Sequence, residues 1–481
     1  MQNALKSGLK TALFNLLVLS SKITGWRYPK IPRLKGNFFY GRLPSLFNDN
    51  QLISDIFKAG ELAAKHESGL SYFWLGSNLM LVITKPEHLE QLMKNKDHFK
   101  LSVFDDYVDY LGGSFILADE PELWAPKREV YDRLVLSQKA LEKTAGAVSP
   151  ELTNTLQYIG AHLGEPINLH QLFSKFILAN LLKRVLDVEP SNEELEALLD
   201  YLHFLHDQIV CSRTVIRNVL PKFLANRFLI DPEQFSVEMK KTLHKNIFSA
   251  SNKSIYTNEF INMIHKIRGK NSALETNADV IGEINVLLIG GTSTVLSTLL
   301  VLFKYLKANP AVETKLIAEI NDEFSEQEIS FADVKKLKYL DNIISEVLRL
   351  ATPAPVSFKK VLTPFKFDNI RLAKGDTLVT VPYITHRLPN IWKEPEQFIP
   401  ERFDSIKDIP RYAYRPFGVD QHQCPGRHFG IQTIKLIVAT IYKQFDFKIL
   451  NNEDMSFIFS AGALRPKVTP IACFSHKNGE L

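Results

Sequence analysis

Pro416-Phe-Gly-Val-Asp-Gln-His-Gln-Cys424-Pro-Gly-Arg-His-Phe-Gly430 sets one cysteine between a loop of turn formers and the start of an apolar helical run. A sulfur at a helix N-terminus meets unsatisfied N–H groups and the positive end of the helix dipole, which favour thiolate over thiol. A thiolate there is a nucleophile or a metal ligand. The alternative is a small buried residue that only packs. The rest of the chain has to decide between them.

Upstream, residues 278–309 contain no proline, are apolar nearly all round from 284 to 303, and stop before Pro310. That pattern predicts a long helix buried at the centre of the molecule. Its middle carries Gly290-Gly291-Thr-Ser-Thr294, and each interior glycine costs on the order of 1 kcal/mol against alanine. Two accounts remain open: a flat group approaches that face, or another helix does. Residues 332–350 repeat the helical period and hold Glu346 and Arg349 three apart on one face. A Pro-rich extended stretch then leads to Pro400-Glu-Arg402-Phe403. Nearer the start, 71–84 reads as a strand, turn and strand, and 122–141 as a helix placing Trp124 and Arg128 on one face. His203 and His206 lack a third ligand at sensible spacing and read as ordinary helix residues.

The chain has 481 residues, 45% hydrophobic and 23% charged, with no linker composition after the first fifty, which predicts one large domain. Three widely spaced cysteines, Cys211, Cys424 and Cys473, give no disulfide framework and fit a reducing, cytosol-like compartment. The net charge of +5 is uneven: residues 1–48 hold eight bases and no acid, leaving −3 for the remainder. Nucleic-acid binding is therefore not expected of the body. The front end surrounds an apolar run, 11–21, whose eleven residues reach about half of a ~30 Å hydrocarbon core. Leu5, Leu9, Leu13, Leu16 and Leu17 fall on one face, which suits a helix lying in the membrane interface. A signal peptide and a packed terminal helix are the other readings. Residues 1–35 are thus expected to be a membrane-association segment with a Pro linker, and 36–481 the functional domain.

Taken in order, Trp124-x-x-x-Arg128, Gly-Gly-x-x-Thr294, Glu346-x-x-Arg349, Pro400-Glu-Arg402-Phe403 and the Phe417–Gly426 loop resemble the cytochrome P450 superfamily over residues 32–474. The resemblance implies a mainly α fold with small β-sheets, haem b, and an axial thiolate from Cys424 to the iron. It also implies that Phe417 shields the sulfur, that Gly426 belongs to the cofactor loop, and that Trp124, Arg128 and His422 face the haem carboxylates. Glu346, Arg349 and Arg402 would form a buried triad, while Gly290, Gly291, Ser293 and Thr294 would lie on the oxygen side.

Two departures from the family pattern stand out. Asp420 replaces a glycine, tolerable if the backbone there needs positive φ. Ser293 replaces the acid of an acid–threonine pair, so proton delivery would rest on hydroxyls and water. Ser293 bonded back to its own helix is the alternative.

The implied function is a monooxygenase inserting one oxygen atom from O2 into a lipophilic small molecule such as a sterol, fatty acid or terpenoid. The chain would act as a monomer with an external electron donor, a reductase or ferredoxin. The missing acid motivates a second reading, an isomerase or peroxygenase using a lipid peroxide without a reductase; a non-enzymatic haem sensor or carrier is the third. Segments 101–117, 201–228, 289–293, 353–358 and 460–464 would line a mostly apolar pocket. Arg411, Arg415, Arg427, His428 and Lys435, with Lys127 and Arg133, are candidates for a basic face that steers an acidic donor.

Overall fold

The computed structural model describes residues 30–36, 42, 49–75, 78–95, 98–101, 111, 121–136, 150–209, 232–267, 277–324, 329–367, 370–419, 423–460 and 462–477. The expected interfacial helix of the first 29 residues lies outside that set. Where the description begins, the chain already joins the body. Pro32 O accepts from Tyr72 N at 3.1 Å, and Leu34 N donates to Tyr72 O at 2.9 Å.

The first half runs α1 (Asp49–Lys65), β1 (Leu70–Leu75), β2 (Asn78–Ile83), α2 (Pro86–Lys94), β3 (Phe99–Leu101), α3 (Pro121–Tyr131), α4 (Pro150–Ala161), β4 (Pro166–Asn168), α5 (Leu169–Leu181), α6 (Asn192–Ile209), α7 (Pro232–Asn246) and α8 (Glu259–Ile267). The second half runs α9 (Ala278–Ala308), α10 (Pro310–Glu323), α11 (Lys338–Leu350), β5 (Ser357–Val361), β6 (Phe365–Phe367), β7 (Ile370–Leu372), β8 (Thr377–Thr380), α12 (Pro382–Thr385), α13 (Arg427–Gln444), β9 (Phe445–Ile449), β10 (Phe457–Ser460), β11 (Ala463–Pro466) and β12 (Ile471–His476).

The long apolar run forms the expected central helix, α9. Asn277 caps its start, with Oδ1 accepting from Asp279 N at 3.0 Å and Val280 N at 3.1 Å. Pro310 opens α10 directly after its end. Among the described residues α9 is the one helix long and apolar enough to cross a membrane, and most of its length is buried in the protein. It packs against α5, α11, α13 and β11. The main core gathers Phe173 and Phe176 of α5, Leu299 to Phe303 of α9, and Ile437 and Ile441 of α13 around it.

The largest sheet has the order β1-β2-β8-β5-β3. β2 and β8 pair in parallel, Met80 opposite Thr377, and β5 pairs with β8 antiparallel, Phe358 opposite Val379. All four residues of β8 are buried, so this strand carries the sheet's two halves. β4 is three residues long and pairs with β12, Ile167 opposite Ala472. Nothing local in the sequence marks this strand, because its partner lies about 300 residues away. The helix expected over 122–141 turns into a π-helical stretch, Asp132–Leu136, directly after α3.

Gly290 and Gly291 of α9 divide the alternatives raised for them. A Cβ built on Gly291 would stand 2.8 Å from Leu181 Cδ2, so Gly291 permits the close approach of α5. A Cβ on Gly290 would meet nothing within 4 Å, and Gly290 is exposed in an otherwise buried helix. Gly290→Ala should therefore keep the helix-propensity gain of up to about 1 kcal/mol, whereas Gly291→Ala should lose it to overpacking of about 1–3 kcal/mol. Urea unfolding of the two variants should rank Gly291→Ala as the less stable; equal midpoints would contradict the packing.

Candidate functional site

The cysteine loop is closed by its own backbone. Cys424 N donates to Phe417 O at 2.8 Å, and the loop turns at Gly418, whose φ of +75° is a conformation that favours glycine. Gly430 N donates to Gly426 O at 2.8 Å, which starts α13 directly after the sulfur. Asp420 and His422 fall outside the described residues.

Cys424 lies deep among protein atoms, yet its own surface is open to solvent. Burial pushes its thiol up, while the Gly426 N–H, Arg128 and Arg427 pull the other way. A metal cation facing the sulfur would favour the thiolate, so the donor fits an iron cofactor.

The helix that follows Cys424 packs against α9. Gly430 of α13 meets α9 at Val295, where a Cβ on the glycine would lie 3.5 Å from Val295 Cγ2. The preceding turn of α9 therefore stands close to the segment that carries Cys424. On that turn Gly290 is exposed and Thr294 half-buried. Thr294 Oγ1 donates to Gly290 O at 2.7 Å, leaving oxygen lone pairs to accept from water. Ser293 Oγ donates to Ile289 O at 2.9 Å, the back-bonded alternative.

Arg128 reaches the cysteine loop. Its Nη1 donates to Gln423 O at 2.6 Å and its Nε to Asp132 Oδ1 at 2.9 Å. Trp124, one turn earlier on α3, is half-buried against the second core cluster. Lys127 corrects the expected basic face: it is wholly buried, with Nζ 3.0 Å from Asp279 Oδ1 and 3.2 Å from Glu283 Oε1. Tyr131 Oη donates to Glu283 Oε2 at 2.8 Å. Arg415 and Lys435 are buried too. Arg133, Arg411, Arg427 and His428 remain exposed, Arg133 in an ion pair with Glu259.

The triad is assembled as expected. Arg349 Nε lies 2.7 Å from Glu346 Oε2 and Nη2 lies 2.8 Å from Oε1, a bidentate pair at zero exposure on both sides. Arg402 Nε reaches Glu346 Oε1 at 3.2 Å, and Ile399 N donates to the same oxygen at 2.9 Å. The remaining Arg349 donors go to His386 O at 2.9 Å, Pro395 O at 2.6 Å and Gln397 O at 3.0 Å. The spacing suggested the Glu–Arg pair; the carbonyl partners had no sequence signal.

Ser293 lines a small half-open pocket with His170 and Ser174 of α5, His203 of α6, and Ser460 and Arg465 of the β10–β11 hairpin. His203, Ser293 and Ser460 fall in segments expected to line a pocket; His170, Ser174 and Arg465 do not, and carry no motif. His203 stacks with His170 at 6.0 Å between ring centroids. No group of three or more metal-ligating side chains exists among the described residues. Burial holds His170 down at about 4, helped by the positive Arg465 and by His203.

Set beside known proteins, the fold matches the crystal structure of the cytochrome P450DA heme domain with a TM-score of 0.75 at 18% identity, covering 93% of this chain and 98% of that one. Cytochrome P450 84A4 of Arabidopsis thaliana is 21% identical, across 84% of this chain and 85% of its own length. Amorpha-4,11-diene 12-monooxygenase of Artemisia annua is 26% identical across 89% and 90%. The family model for cytochrome P450 matches residues 40–474, and the chain belongs to that family as an oxidoreductase of the monooxygenase class. Membership implies haem-thiolate iron, a small-molecule substrate and a redox partner.

Glu346→Ala should lower the unfolding free energy by about 3–5 kcal/mol, because it strands the buried Arg349 guanidinium; a loss below about 1 kcal/mol in urea titrations would contradict the triad's weight. His170 gives a pH prediction. Between its ordinary 6.5 and about 4, only the unfolded chain takes the proton, so stability falls as pH falls through that window and is unaffected above it. His170→Gln should therefore lose less stability than the parent from pH 6.5 to 4, measured by denaturant midpoints.

Proposed function

We propose that Cys424 is the axial ligand of haem b and that the chain inserts one oxygen atom from O2 into a lipophilic small molecule. The carrying observation is the cysteine loop itself, closed by Cys424 N on Phe417 O, with the sulfur exposed directly before α13. When bound, the haem-thiolate supplies dioxygen binding and activation. The protein's part is to hold, orient and exclude.

Phe417 packs beside the sulfur loop and carries the Arg427 guanidinium 5.5 Å above its ring. Arg128, Trp124 and His422 are assigned to the haem carboxylates, Arg128 already being fixed against Gln423. Gly426 flanks the sulfur, where a built Cβ would stand 3.8 Å from Sγ in ordinary van der Waals contact. Gly290 leaves room on the distal side. Thr294 accepts a hydrogen bond from water or ligand, while its own proton stays on Gly290 O. Gly291 is withdrawn from this list and assigned to helix packing.

The substrate is read as lipophilic because the family's pocket segments are mostly apolar in this sequence, and one relative's name specifies oxidation of amorpha-4,11-diene. Electrons are assigned to an external donor approaching the side that exposes Arg427 and His428. Residues 1–35 are assigned to membrane association and 36–481 to the haem domain, working as a monomer in a reducing compartment.

The reduced, carbon-monoxide-bound protein should show the far-red Soret band of thiolate-ligated haem, and Cys424→Ser should lack it. A parent without that band sinks the assignment. Label from 18O2 should enter the product when donor and lipid are supplied; turnover of a lipid hydroperoxide without any donor would instead place the chain with the peroxide-using isomerases and peroxygenases.

A further inference from the structure

α3 has little of its own to hold its register. Pro126 gives it no backbone N–H in mid-helix, and at Asp132 the chain leaves the α-helical repeat for the π-helical stretch. Two neighbouring side chains tie it instead to two different parts of the molecule. Arg128 Nη1 donates to the carbonyl of Gln423, the residue before Cys424, at 2.6 Å. Lys127, about 100° round the helix, is wholly buried and reaches α9. Its Nζ donates to Asp279 Oδ1 at 3.0 Å and lies 3.2 Å from Glu283 Oε1. Tyr131, one turn on, donates from Oη to Glu283 Oε2 at 2.8 Å and sets its ring edge-on to Phe260 of α8 at 5.0 Å. Asp279 and Glu283 stand one turn apart at the start of α9, where the helix N-terminus favours anions.

We infer that Lys127 is a positioning residue: with Tyr131 it locks α3 to the first turns of α9 and so holds Arg128 on the Gln423 carbonyl beside the sulfur. Charge is the informative feature. Apolar side chains would pack α3 on α9 without the cost of desolvating an ammonium and two carboxylates, whereas paired charges with directional partners fix one register. That register tolerates little movement. A slide of one helical residue, about 1.5 Å, exceeds the slack of a 2.6 Å hydrogen bond and would part Arg128 from Gln423. The assignment deepens the reading of Cys424 as the haem ligand and rests on it only for the consequence at the haem, because the link from α9 through α3 to the cysteine loop runs through protein atoms.

Hydrogen–deuterium exchange of the haem-loaded protein tests it, read in the peptide containing Cys424, whose N–H closes the loop on Phe417 O. Lys127→Gln should speed that exchange about tenfold, Arg128→Gln by a similar factor, and the double variant by no more than either, the non-additivity of residues that act on one contact. Lys127→Arg should restore most of the parent's protection. Peptides of β9 and β12, which pair with each other, should keep the parent's rate, whereas a merely structural Lys127 would speed them too. Haem transfer to excess apomyoglobin should quicken several-fold in Lys127→Gln and return to the parent's rate in Lys127→Arg. Tyr131→Phe, which keeps the charges and removes one hydrogen bond, provides the same cycle with Arg128→Gln if thermal denaturation shows Lys127→Gln to be unfolded. Multiplying factors in the double variant, parent-like protection or haem transfer in Lys127→Gln, or equal acceleration in the β9 and β12 peptides would each overturn the proposal. The carbon-monoxide spectrum is recorded on the same samples. A missing thiolate band in the parent with the coupled exchange intact refutes the haem-ligand reading alone, and lost coupling with the band present refutes this inference alone.

Discussion

The Glu346 carboxylate sits at zero exposure between Arg349 and Arg402, and the path from these charges to the sulfur is short. Arg349 gives one N–H to His386 O, and the His386 ring accepts the Arg415 backbone N–H at 3.1 Å. Arg415 stands two residues before Phe417, whose carbonyl closes on Cys424 N. Tyr414 Oη adds a bond to Ser345 O, one residue before Glu346. Burial keeps the His386 ring neutral, its pKa held well below the ordinary value by desolvation and the neighbouring arginines, and a neutral ring can accept that N–H. The triad thus fixes the irregular segment between α12 and α13, which has little regular hydrogen bonding of its own, and through it the place of the sulfur. Such an arrangement is costly to desolvate and more costly to break.

Electrostatics at the two ends of that path differ in kind. The triad is compensated within the protein, carboxylate against guanidinium with carbonyls taking the remaining donors. The sulfur is not compensated. Its nearby positive charges and the Gly426 N–H oppose a desolvation that pushes the thiol up. Arg415 is the cationic counterpart: buried among Thr380, Thr385 and His386, it is pushed down to about 9 by desolvation. The loop that presents Cys424 is therefore held by partly strained electrostatics, a common feature of sites built to receive a charged group.

The central helix serves three neighbours through adjacent residues. Gly291 lets α5 approach, Gly290 faces open space, and Ser293 turns to the pocket between α5, α6 and the β10–β11 hairpin. A rotation of about 100° per residue separates these roles on one helix. The replacement of an acid by Ser293 thus belongs to a local environment. Where the family pattern has a carboxylate, this chain has a back-bonded hydroxyl facing Arg465 and two histidines, and a carboxylate at that point would have been drawn to the guanidinium.

By itself the sequence determined the class of fold, the central helix, the Glu–Arg pair and the cysteine loop, because each is written in local terms: apolar period, proline placement, residues three apart, turn formers around one sulfur. It did not determine which glycine packs and which opens, nor that Lys127, Arg415 and Lys435 are buried, since exposure depends on partners such as Asp279, which follows Lys127 by more than 150 residues. Nor did it disclose that His170 and Arg465 join Ser293 and Ser460 in one pocket, or that burial pushes the Cys424 thiol up. Those are decided by desolvation and by the meeting of distant segments, quantities that exist only after the chain has folded.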